Sequence, residues 1–229
     1  MIPLRKQREY LSVIYNEGDK PFTSYPDLLA RYLVKRYRLS MGMKMLDLGC
    51  GRGELLRGFL SCGLNGYGVD QSSMAKSICP DAKITLSDLG NESLPYKDNS
   101  FDLVFSKSVL EHFYYPEELV QEIYRILRPN GLVITMVPDW ESGYKKTFYD
   151  DYTHRTPFTL ASLRNIFVIN GFDDVKVEKF RQLPFLWSMP WLQPVTMFVA
   201  LVTPRFMIEY SKLIRFSKGV MLLSSAVKS

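Results

Sequence analysis

The residues best suited to chemistry lie in the run Met45-Leu46-Asp47-Leu48-Gly49-Cys50-Gly51-Arg52-Gly53-Glu54. Gly49, Gly51 and Gly53 tolerate positive φ and let a ligand approach bare backbone, and a helix opening near Gly53 offers unpaired N–H groups. The spacing is G-x-G-x-G. A dinucleotide loop would place a third glycine where this chain has Glu54, and a carboxylate there would repel a pyrophosphate. Asp47 instead favours a ligand whose near end is cationic. Asp70 closes Leu64-Asn65-Gly66-Tyr67-Gly68-Val69-Asp70, about twenty residues past the loop, where a doubly wound fold puts a carboxylate against ribose hydroxyls. The same acid could also cap a helix opening at Gln71-Ser72-Ser73. A second cluster, Asp150-Asp151-Tyr152-Thr153-His154, offers a base that is neutral near physiological pH with carboxylates to orient it.

Taken in order, these runs resemble the class I S-adenosylmethionine-dependent methyltransferases, in particular the small-methyltransferase group whose first motif reads D-x-G-C-G-x-G. The resemblance implies that Asp47, Gly49, Cys50, Gly51 and Gly53 hold the cofactor's amino-acid and sulfonium end, and that Asp70 and Gln71 meet the ribose. Asp88 and Leu89 match the position that reads the adenine. Leu94-Pro95-Tyr96-Lys97-Asp98-Asn99-Ser100-Phe101-Asp102-Leu103-Val104 is similar to the family's "P-F-x-D-x-S-F-D-x-V" run, with Tyr96 for the usual aromatic. The following strand carries Ser106 to the carboxyl edge of the sheet, where open α/β sheets bind ligands. Val109-Leu110-Glu111-His112-Phe113 matches the family's L-E-H segment, in which His112 lines the pocket and Glu111 is its partner or an exposed acid. The run from Asp151 to Thr159 resembles the D-P-T-H-x-x-P-F/Y-T segment of methyltransferases from bacterial surface-polysaccharide and O-antigen clusters, with Tyr152 for the proline.

The elements that position these residues follow from periodicity. Asp27–Arg38 carries apolar residues at three-and-four spacing behind Pro26 and predicts an amphipathic helix. Helices are expected over 54–61, 72–78, 117–127 and 160–169, and strands over 44–48, 67–70, 84–86, 102–106, 132–137, 172–180 and 220–226. Leu127-Arg128-Pro129-Asn130-Gly131 should stop a helix. Thr159 should cap the 160–169 helix, and Asn170-Gly171 should close it. The alternation predicts an α/β, doubly wound parallel sheet, and the family resemblance implies seven strands in a Rossmann-like sheet with an antiparallel last strand. The stretch from Pro138 to Thr159 has little apolar period and reads as a long functional loop.

The chain has 229 residues, 46% of them hydrophobic, which suits a single domain over 1–229 with an N-terminal helical cover over 1–40. Its three cysteines lack metal spacing, so neither a disulfide framework nor a metal site is expected. A net charge of +5 without a dense basic stripe argues against a nucleic-acid partner. Met1 to Arg8 is too polar for a secretory signal, which points to the cytoplasm. Residues 181–219 form a hydrophobic insertion between the sixth and seventh strands, broken by prolines 184, 190, 194 and 204. Trp187 and Trp191, flanked by Arg181, Arg205, Lys212, Arg215 and Lys218, suit peripheral contact with the inner face of a membrane through 183–205. A lid or a homodimer face would use the same residues.

The expected activity is methyl transfer from S-adenosylmethionine to a saccharide or lipid-linked glycan hydroxyl, with His154 as base, Asp151 as its orienting partner and His112 as the second candidate. Two rivals stand beside it: a small lipid or quinone-like acceptor, and a non-catalytic cofactor-binding scaffold.

Overall fold

The computed structural model describes residues 21–90, 93–142, 147–203, 214, 217 and 219–229. The helix α1 (Tyr25–Arg36) carries Pro26 in its first turn, a position that suits the fixed φ of proline. It ends two residues earlier than its apolar period suggests, and Arg38 then adopts φ 52°. There follow β1 (Lys44–Leu48), α2 (Glu54–Ser61), β2 (Asn65–Asp70), α3 (Ala75–Ile78), β3 (Lys83–Leu86) and β4 (Phe101–Lys107). A 3₁₀ turn (Leu110–His112) leads to α4 (Pro116–Ile126), β5 (Leu127–Pro138), α5 (Leu160–Ile169) and β6 (Phe172–Arg181). The insertion forms α6 (Pro184–Ser188), a 3₁₀ turn (Pro190–Leu192) and α7 (Gln193–Val202) before β7 (Val220–Lys228).

The seven strands form one sheet of order β3-β2-β1-β4-β5-β7-β6. β1 pairs in parallel with β2 and β4, and β2 with β3. β7 runs antiparallel to both β5 and β6. This is the expected fold, with the helical insertion between β6 and β7.

Three local differences have identifiable causes. α3 begins at Ala75 rather than Ser72, because Asp70 Oδ1 accepts from Ser72 N and Ser72 Oγ accepts from Met74 N, a local side-chain turn that competes with helix. β5 begins at Leu127, inside the run expected to be a turn; Asn130 takes φ 62° there, and a Cβ on Gly131 would lie 2.7 Å from Arg128 O. Within the insertion, Pro184, Pro190 and Pro194 each stand in the first turn of a short element instead of merely interrupting one long helix.

The chain divides into two compact units. The first (Met1–Ser106 with Arg125–Gly131) buries Leu29, Leu33, Leu46, Leu56 and Phe59, and Phe59 stands 5.1 Å from the Phe105 ring. The second (Lys107–Tyr124 with Leu132–Ser229) buries Val120, Ile123, Ile134, Leu163, Phe167 and Leu222. In the second unit Thr159 caps α5, exchanging hydrogen bonds with Ser162, and Gly171 closes the helix at φ 84°. Residues 1–20 of the expected N-terminal cover, and Arg205, Lys212, Arg215 and Lys218 of the insertion, lie outside the described residues.

Candidate active site

In the first unit, the turn after β1 is held by backbone. Gly49 N and Cys50 N both donate to Val69 O, at 2.8 and 3.2 Å, so the loop folds over the end of β2. That places Gly51 beside Asp70, whose Oδ2 accepts from Gly51 N at 2.8 Å while its Oδ1 accepts from Ser72 N at 2.8 Å. Burial pushes the Asp70 carboxyl above its ordinary value, and the amides of Ser72, Gly51 and Gln71 pull it back in part. Asp88 joins the same edge: its Oδ1 accepts from Gln71 Nε2 and from Gly90 N, both at 3.1 Å. Gly51, Asp70, Gln71 and Asp88 therefore form one polar rim. Leu89 follows, half-buried.

The glycines differ in role. A Cβ on Gly51, at φ 52°, would meet no atom within 4 Å, so open space lies over this turn. A Cβ on Gly53 would press within 3.2 Å of Ala75 and of Cys79 Sγ, so Gly53 serves close packing against α3. The Cys50 side chain is likewise turned inward, since a Cβ on Gly68 would lie 2.8 Å from its Sγ. Burial and the charges of Asp47 and Asp70 hold the Cys50 thiol protonated. Cys50 shapes the loop through its backbone. Asp47 is buried at the end of β1, level with Gly68 and Phe105. Ser106, level with Leu48, is fully buried, and its Oγ has no hydrogen-bond partner. Glu54 does not stand alone as a repelling carboxylate, because Arg52 Nη2 donates to it at 2.6 Å.

The second unit holds another cluster. The segment after β4 meets the loop leaving β5: Arg155 N and Thr156 N donate to Glu111 O at 2.7 and 3.1 Å, and Thr156 Oγ1 donates to Phe113 O at 2.7 Å. These bonds bring the His112 and His154 rings to 4.8 Å. His154 Nδ1 lies 2.6 Å from Phe148 O; a carbonyl can only accept, so Nδ1 carries the hydrogen and Nε2 the lone pair. Thr153 Oγ1 donates to Asp151 Oδ1 at 2.6 Å and lies 2.8 Å from His112 Nδ1, and His112 also bonds the Thr153 backbone. Burial, then the neighbouring His154, lowers the His112 pKa to about 4.

The ring of His154 is thus oriented by the Phe148 carbonyl. Asp151 Oδ2 stands 3.9 Å from Nε2, beyond hydrogen-bond distance, and its other oxygen is engaged by Thr153. Glu111, expected as a partner or an exposed acid, is completely buried, and neither carboxylate oxygen has a hydrogen-bond partner at normal geometry. Burial pushes its pKa up to about 8. Its depth has no signal in the sequence, because a 3₁₀ turn of three residues carries no period to read.

Residues 46–135, which span the glycine loop, the acid series and most of β5, match the methyltransferase-domain family. That match covers less than half of the chain. S-adenosylmethionine would fit the first unit: buried Asp47 for its cationic end, open space over Gly51, and Asp70 for its ribose. A structure of an S-adenosylmethionine-dependent methyltransferase from Archaeoglobus fulgidus is 25% identical and superposes with a TM-score of 0.63 over 89% of this chain and 94% of that one. Phosphoethanolamine N-methyltransferase 2 of Haemonchus contortus, 20% identical, shares the fold with a TM-score of 0.69 over 100% of this chain and 60% of that one. The Caenorhabditis elegans phosphoethanolamine N-methyltransferase 2 is 28% identical over 158 residues, 64% of this chain. The match spans only 36% of that relative's length.

Proposed function

We propose that this protein transfers the methyl group of S-adenosylmethionine to a hydroxyl oxygen, on a saccharide or a lipid-linked glycan. When bound, the cofactor supplies a methyl carbon already activated by its sulfonium. What the chain must add is a fixed cofactor, an oriented acceptor and a destination for the hydroxyl proton. Gly51, Asp70, Gln71 and Asp88 would hold the cofactor's backbone-facing, ribose and adenine portions. His154 would take the proton.

The observation that carries the reading is the tautomer of His154: with Nδ1 engaged by Phe148 O at 2.6 Å, Nε2 is the ring's basic atom. A nitrogen base held this way suits an acceptor that must lose a proton as its new bond forms. The glycan assignment rests on the resemblance of the run 151–159 to surface-polysaccharide methyltransferases. A small lipid acceptor is favoured by a different feature, the exposed apolar side chains of α7, in which Leu201 is 82% and Phe198 63% exposed. The same face, together with exposed Trp191, supports peripheral membrane contact or a homodimer; among the described residues no helix is long and apolar enough to cross a membrane.

Mass spectrometry of reactions with S-adenosylmethionine and nucleotide sugars, lipid-linked oligosaccharides, quinols or phosphoethanolamine tests the proposal. Methylated sugar hydroxyls are the expected product. Methylated phosphoethanolamine or quinol alone would replace the acceptor, and cofactor binding without any product would support the scaffold reading.

A further inference from the structure

We infer that Glu111, His112 and His154 form a binding site for one divalent cation of the zinc class. A carboxylate oxygen of Glu111 and one nitrogen from each imidazole all lie within 4.8 Å of one another. Two imidazoles and one carboxylate are the ligand set of catalytic zinc sites that keep a fourth position open. Imidazole nitrogen selects zinc and its first-row neighbours, whereas magnesium prefers an all-oxygen shell.

Three independent features point the same way. Glu111 is fully buried, and the Ser108 side chain and its own amide give its carboxyl only weak support, short of normal hydrogen-bond geometry, so a cation would be its main partner. Both imidazoles are held through Nδ1, His154 by the Phe148 carbonyl and His112 by the Thr153 hydroxyl, and the His154 bond leaves Nε2 as that ring's lone-pair atom. A metal-binding histidine characteristically has its second nitrogen engaged in this manner, which fixes ring orientation and tautomer. Behind Thr153 stands Asp151, which accepts its hydroxyl at 2.6 Å, a carboxylate–hydroxyl–imidazole relay directed at the cluster. The frame is also rigid: Glu111 O ties the two contributing segments together through the amides of Arg155 and Thr156.

A bound cation would commit the His154 lone pair. Held by Glu111, His112 and His154, the cation would supply Lewis-acid polarisation of an acceptor hydroxyl. The imidazole-base step proposed above would describe the stripped protein. Only this consequence depends on the O-methylation reading; the site itself does not.

The test is calorimetric titration of the full chain, stripped with a chelator and exchanged into metal-free buffer, with Zn²⁺ in the absence of cofactor and acceptor. One equivalent should bind, Mg²⁺ should not compete, and Glu111→Gln and His154→Ala should each weaken binding tenfold or more. S-adenosylmethionine titration of the same variants checks that they are folded, and the near-isosteric Glu111→Gln covers the case in which His154→Ala is not. Cys62→Ser should bind zinc as the wild type does. Failure of the wild type to take up zinc, equal affinity in a folded Glu111→Gln variant, or loss of binding in Cys62→Ser would overturn the site. None of these readouts involves methyl transfer, so they stand apart from the fate of the proposed reaction.

Discussion

The glycine turn of the first unit and the histidine cluster of the second differ in how much of their framework is side chain. Around Gly51 and Asp70 the fixed partners are mostly backbone: amides of Gly51 and Ser72 grip one carboxylate, and Val69 O grips the loop. Around His154 side chains and main chain share the work: the Phe148 carbonyl directs His154, the Thr153 hydroxyl links His112 to Asp151, and Glu111 O holds the amides of residues 155 and 156. A site made from backbone recognises a constant ligand and tolerates little change in main-chain geometry. One built partly from side chains can be re-tuned residue by residue, which would suit acceptor recognition in the proposed reaction.

The comparison breaks most readily at Gly51. A β-branched residue there must adopt φ 52° and occupies the open space over the turn, so Gly51→Val should weaken S-adenosylmethionine binding by roughly a hundredfold or more in calorimetry. Zinc binding and the thermal stability of the second unit should be less affected.

Asp70→Asn should cost roughly tenfold to a hundredfold in cofactor affinity, the scale of a lost charge-assisted hydrogen bond. Its pH signature is sharper. Ribose hydroxyls require the ionised carboxylate, so wild-type affinity should fall as pH drops through the raised Asp70 pKa, and the asparagine variant should lack that limb. Stability without ligand runs the other way. A carboxyl whose folded pKa lies above the unfolded value contributes its stability fully below the ordinary 3.8 and loses it as pH rises through the folded value. Coincident limbs of opposite sign in binding and melting would tie both to Asp70.

The insertion sharpens the contrast on the acceptor side. Trp187 is packed inward, stacked 5.4 Å from Phe180 with its Nε1 donating to Arg181 O, so it is not a membrane anchor. Replacing the exposed Trp191, Phe198 and Leu201 by serine should reduce sedimentation with anionic liposomes several-fold at unchanged cofactor affinity. Equal sedimentation would reject membrane contact, and loss of a dimer peak in size-exclusion chromatography would assign the face to self-association. The smallest effect belongs to Thr159→Ala. Losing this helix cap should cost about 1 kcal/mol and lower the melting temperature by about 2–4 °C without touching cofactor binding.

How much was legible in the sequence follows the same division. The bounds of β1, α2 and α5 are those expected from their apolar runs and caps, and the parallel pairing of β1 through β4 is what alternation implies. Asp70 and Asp88 could be placed because strand ends in an open α/β sheet converge on one edge. Cys50 and Gly53 matched the motif, yet their positions face the interior, since a motif fixes spacing and not side-chain direction. Glu111 was unreadable because its burial comes from the long-range docking of residues 155 and 156. The orienting role given to Asp151 belongs instead to the carbonyl of Phe148, a main-chain group that no side-chain pattern reveals.

The division of labour is tested most directly by turnover of His154→Ala at saturating S-adenosylmethionine on an acceptor identified in the product screen. Whether His154 acts as base or holds a cation, turnover should fall by roughly a hundredfold while cofactor affinity stays within about twofold of wild type. A folded variant that retains near-wild-type turnover would contradict the assignment of acceptor chemistry to the second unit.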